Sequence, residues 1–157
     1  MRRFLYITFP GFTLIELLIV FAVLGIMGTL VMGPLARSRD EQSLSSSLEM
    51  TLALLGEARF KTLASEGDTR YGIYLGGTSI TLFRGSVYVS GASDNTVHSF
   101  SGTTYIATTS LASGTSTILF NRLSGGTDNY GIVTLGNTTS SSTRQIKIEK
   151  TGFSSSE

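Results

Sequence analysis

The sequence predicts an α+β fold: a long N-terminal helix, apolar in its first half and amphipathic in its second, packed against a C-terminal antiparallel β-sheet domain. Three observations predict it. From Phe12 to Met32 the only charged side chain is Glu16. Between residues 37 and 65 leucines recur at helical spacing. Beyond residue 70 apolar residues alternate in short runs divided by Gly, Ser, Thr, Asn and Asp. At 157 residues the chain fits one globular domain plus an appendage.

Taken in order, the first element is long enough to cross a membrane. As a helix, Phe12 to Met32 would rise by about 30 Å, the thickness of a hydrocarbon core. Arg2 and Arg3 precede it, while Arg37, Arg39, Asp40 and Glu41 after it mix both signs, so the positive-inside bias places the amino end in the cytoplasm and the bulk of the chain outside. A cleaved secretory signal is the rival reading. Such signals have a shorter apolar core and a small-residue cleavage site, and "GPLARSRDEQ" offers none. The segment is therefore expected to stay in lipid as a single-pass anchor. Gly25 and Gly28 within it and Gly33 and Pro34 beyond it either bend the helix or, for the two inner glycines, let neighbouring helices approach.

The helical pattern returns from Arg37 to Ser65, with Leu44, Leu48, Leu52, Leu55 and Ala58 forming one stripe that must face a core. Asp40 and Glu41 lie near its start, and "SEGD" at 65–68 ends it with Gly67 in the C-cap position. The β region follows, with the runs "YGIYL", "SITLF", "SVYVS", "TTYIATT", "STILFNR", "YGIVTL" and "RQIKIEK" as candidate strands. They predict one antiparallel sheet or two small packed sheets, one face covering the helical stripe. Disorder is expected in the tips, in "GNTTSSST" at 136–143 and in the tail "SSSE".

Site chemistry is sparse. There is no cysteine, which excludes disulfides, thiolate metal sites and Cys nucleophiles. His98 is the single histidine and has no acid and nucleophile arranged locally around it. Asp94 and Asp128 lie in "ASDNT" and "GGTDNY", runs that suit turns and lack the spaced oxygen ligands of a calcium loop. "GGTDNYG" lacks the lysine and helix of a phosphate loop. The expectation is a non-enzymatic chain with no cofactor and no metal. Arg122, Arg144, Lys147 and Lys150 raise the possibility of DNA contact. Net charge is only +1, however, and from residue 37 onward ten basic residues balance ten acidic ones. A duplex binder usually shows a basic excess. A solvated edge strand, kept from self-pairing by its charges, is the favoured reading of "RQIKIEK".

Glu16 needs an account of its own, because a carboxylate in the membrane interior costs about 2.5–3.5 kcal/mol on insertion scales. It either reaches the headgroups or meets a positive partner. The string Gly11, Phe12, Thr13, Leu14, Ile15, Glu16, Leu17, Leu18, Ile19, Val20 resembles the class III signal of type IV pilins and type II secretion pseudopilins. The resemblance implies a leader of residues 1–11, cleavage by a prepilin peptidase between Gly11 and Phe12, and N-methylation of Phe12. It also implies that Glu16 pairs with the terminal amine of a neighbouring subunit during assembly; a pair within one chain is the alternative, since four residues span about 6 Å of helix. The leader departs from the usual form, with "MRRFLYITFP" carrying its arginines far from the glycine. Pro10 biases Phe9 toward an extended shape, which would expose the bond after Gly11.

The implied organisation is a leader at 1–11, a transmembrane helix at 12–33, an amphipathic continuation at 34–66 and a β-rich head at 67–157. The implied partners are prepilin peptidase, other pilin or pseudopilin subunits, the inner-membrane assembly platform and membrane lipid. "LGEARFKTLASEG", "ILFNRLSGG" and "RQIKIEKTGF", with Phe120, Gly125, Ile146, Ile148 and Gly152 as the matching positions, resemble the GspH/FimT family of minor pilins and pseudopilins. The expected role is thus a minor subunit of a pilus or secretion pseudopilus. A single-pass adhesive or DNA-binding domain that never polymerises is the alternative.

Overall fold

The computed structural model describes residues 11–157, and of residues 29–37 it describes the backbone alone. The expected leader, with Arg2, Arg3 and Pro10, lies outside the described residues. The chain divides into two units, Met1–Ala36 and Arg37–Glu157. Helix α1, Leu14–Leu63, contributes to both. Among the described residues no helix is long and apolar enough to cross a membrane. The span expected at 12–33 runs into the residues whose side chains are not described, as does the bend expected at Gly33 and Pro34.

In the unit Arg37–Glu157 the fold is α+β with two antiparallel sheets. After α1 the chain turns through Ser65 in the left-handed region and a short 3₁₀ turn, Glu66–Asp68. Eight strands follow: β1 Tyr71–Leu75, β2 Ser79–Arg84, β3 Thr96–Ser99, β4 Thr104–Leu111, β5 Thr117–Leu119, β6 Gly131–Asn137, β7 Thr143–Ile148 and β8 Ser154–Ser156. One sheet has the order β3-β2-β1-β5 and the other β4-β6-β7-β8. Alternation decides which side chains enter the core. Ile73 and Leu75 of β1, Ile80 and Leu82 of β2, Ile118 of β5, Val133 and Leu135 of β6, and Ile146 and Ile148 of β7 join one cluster with Leu44, Leu54, Leu55 and Ala58 of α1.

The inward face of α1 differs from the leucine stripe. Leu48 and Leu52 are only partly buried, whereas Ser47, Thr51 and Thr62 are fully buried between the leucines. Each hydroxyl finds an acceptor one turn back, Ser47 on the Ser43 carbonyl (2.8 Å), Thr51 on that of Ser47 (2.7 Å) and Thr62 on that of Ala58 (2.8 Å). Polar residues can then occupy the apolar face without an unsatisfied group.

Four expectations for the β region are corrected. "SVYVS" at 86–90 is not a strand. The place beside β2 is taken by β3, and the loop instead lays Tyr88 flat on Tyr74, ring centroids 4.0 Å apart, with its edge toward Phe83. Phe83 lies over Gly72, where a Cβ would collide with its ring. The tail "SSSE" is not disordered: β8 pairs with β7, placing Ser156 opposite Ile146 and Ser154 opposite Ile148, and Glu157 N–H reaches the Gln145 carbonyl. β7 is therefore an inner strand rather than an edge. The turn 137–143 is ordered as well, because the Asn137 side chain accepts from Thr139 and Ser140 N–H and from the Thr103 hydroxyl, and donates to the Asp40 carbonyl.

Candidate functional site

Gly11, Phe12 and Thr13 precede the helix in non-helical, exposed backbone. Thr13 is the N-cap of α1: its Oγ1 accepts the Glu16 N–H at 3.3 Å and its carbonyl accepts the Leu17 N–H at 3.2 Å. Glu16 accordingly stands at the third helical position, in the threonine-x-x-glutamate spacing of a capping box. An acid in the first turn also faces the positive end of the helix dipole. The position is thus locally compatible with a carboxylate before any partner arrives. Reading the string for its charge passed over the capping role of Thr13, for which the spacing to Glu16 was the signal.

Every residue from Gly11 to Gly28 is exposed, including Phe12 (80%), Leu14 (79%) and Phe21 (64%). A helix this exposed and apolar on all sides requires cover from lipid or from other helices. The bond between Gly11 and Phe12 lies in the kind of exposed, unstructured backbone that proteases favour. In the uncut chain Phe12 offers only a peptide N–H, so the amine that would pair with Glu16 arises only on cleavage.

The other sites considered from sequence are dispersed. His98 lies on the edge strand β3 opposite Ile80. Asp94 lies in a turn, whereas Asp128 accepts a long bond, 3.4 Å, from Asn121 Nδ2. Among the described residues no group of three or more His, Asp or Glu side chains is placed to hold a metal ion. Of the basic residues considered for DNA, Arg122 is paired with Asp68 and Lys147 with Glu157 at 3.8 Å. Lys61 pairs with Glu57 at 2.8 Å. That hydrogen bond, outweighing desolvation, holds the Lys61 ammonium above its ordinary range.

The profile of the prokaryotic N-terminal methylation motif matches residues 10–32. The match supports the type IV pilin and pseudopilin superfamily, whose motif points to processing by prepilin peptidase and to pilin-type assembly partners. Neither the curated proteins nor the solved structures give a match to the chain.

Proposed function

We propose that the protein is a minor type IV pilin or pseudopilin subunit, without enzymatic activity, held in the cytoplasmic membrane by its N-terminal segment with the amino end in the cytoplasm. It is cut after Gly11, methylated at Phe12 and assembled through α1, with Glu16 meeting the amine of a neighbouring subunit. The carrying observation is the uncovered apolar surface of residues 12–28, interrupted by a single acid one turn inside a capped helix start. An unpaired acid and an unpaired amine are each costly in lipid, so a second subunit offset by about 6 Å satisfies both and sets the register between chains.

The finer placement near the GspH/FimT family draws support from the matching positions. Phe120, Ile146 and Ile148 are buried in the head. Gly125 and Gly152 meet so closely that a Cβ on Gly152 would run into the Gly125 carbonyl. Glu16→Leu tests the proposal: assembly into filaments is expected to fall by about ten-fold or more, from loss of a charge pair, while membrane insertion is retained. A plain anchor that does not polymerise is indifferent to the substitution or improved by it. Mass spectrometry of the filament form is expected to find methylated Phe12 first, and an intact leader there would defeat the maturation step.

A further inference from the structure

Several cations of the head have acceptors within the chain, among them Lys61 on Glu57, Arg122 on Asp68, Lys147 on Glu157 and Arg84 on the Gly67 carbonyl. Arg59 is held differently. Its Nε donates to the Gly125 carbonyl at 3.1 Å, and its guanidinium lies over the Phe153 ring, 4.3 Å from the centroid. Gly125 and Gly152, both at positive φ, form the slot, since a Cβ on either would stand 3.1 Å from Arg59 Nε. Two glycines and an aromatic ring therefore fix one guanidinium in place. Among the described residues, its two terminal nitrogens have no acceptor. Arg59 lines a recess of about 460 Å³ together with Asn121, Ser124, Thr127, Asp128 and Lys150.

The lining of this recess is amphoteric. Lys150 has no ion-pair partner among the described residues, and Asp128 is bonded only to Asn121. Arg59 and Lys150 are thus available for an anion, while the Asp128–Asn121 pair and the Ser124 hydroxyl are available for hydroxyl groups. A fixed guanidinium is suited to bidentate capture of a carboxylate. A carboxylate on the wall repels polyanions, which speaks against nucleic acid, and the volume exceeds what a lone inorganic anion fills. We infer that the recess binds a hydroxylated monocarboxylate, an acidic sugar of the uronic type, with its carboxylate on Arg59 and Lys150 and its hydroxyls on Asp128 and Asn121. This goes beyond the filament reading and stands without it.

The test titrates glucuronate into the full-length chain in detergent micelles and follows binding by calorimetry, with glucose, inorganic phosphate and glutamate as comparators. Arg59 also ties α1 to two loops, so the variants are Lys150→Gln and Asp128→Asn, at exposed side chains. Saturable glucuronate binding is expected, with each variant weakening it about ten-fold at unchanged thermal unfolding, and glucose weaker by a similar factor. Absence of saturable binding overturns the inference. So does glucuronate binding that ignores both substitutions, or phosphate or glutamate bound as tightly as glucuronate.

Discussion

Thr62 joins the end of α1 to the first strand through one oxygen atom. It is fully buried, donates its hydroxyl to the Ala58 carbonyl and accepts the Tyr71 N–H at 2.9 Å. Thr51 is equally buried, but its hydroxyl serves only the carbonyl one turn back. The two threonines therefore respond differently to near-isosteric replacement. Thr62→Val strands a buried backbone donor and is expected to cost about 1–3 kcal/mol, read as a lower denaturation midpoint at unchanged slope. Thr51→Val removes a donor whose acceptor is already used by the helix, and is expected to cost less than about 1 kcal/mol. Equal losses at both sites would place the effect in packing instead. Hydrophobic periodicity could not reveal either residue, because it counts apolar positions and these polar ones satisfy themselves locally. The same blindness hid Thr13, which matters for the bond its hydroxyl accepts from Glu16 N–H, and Arg59, whose slot is formed by residues 66 and 93 positions further along the chain.

At the scale of elements, composition misled where pairing decided. "SSSE" carries no strand propensity, yet it forms β8 because β7 offers an open ladder and the chain returns through Gly152 to meet it. Conversely "SVYVS" alternates as a strand should and forms none, because β3 already flanks β2 and Tyr88 instead packs its ring on those of Tyr74 and Phe83. β1, β2 and β4–β7 were readable because turn residues bounded each apolar run, whereas β3, the short "TVHS" at 96–99, matched none of the expected runs. β8 also has a protective consequence. Without it, β7 would present the unpaired groups of an edge strand. Deleting residues 154–157 is expected to destabilise the head by about 1–3 kcal/mol and to raise self-association. Thermal unfolding and light scattering would check both, and an unchanged melting profile would reduce β8 to an ornament of the fold.

For the whole molecule, the division into Met1–Ala36 and Arg37–Glu157 separates two kinds of surface. Among the described residues, the members of the buried core belong to the second unit, whose α1 residues from Leu44 onward share one cluster with sheet residues. The described side chains of the first unit, from Phe12 to Met27, are exposed. Among the described residues the head builds its core from its own elements, which leaves the exposed apolar residues 12–28 for lipid or other subunits to cover. A chain beginning at Arg37 is accordingly expected to unfold cooperatively and to sediment as a monomer without detergent, whereas the full chain requires detergent or partners to stay dispersed. Circular dichroism would check that the remaining half of α1 is retained, since its helicity rests on tertiary packing rather than on length. Loss of that helix, or aggregation of the shortened chain, would mean that residues before Arg37 are part of the fold rather than the means of its assembly.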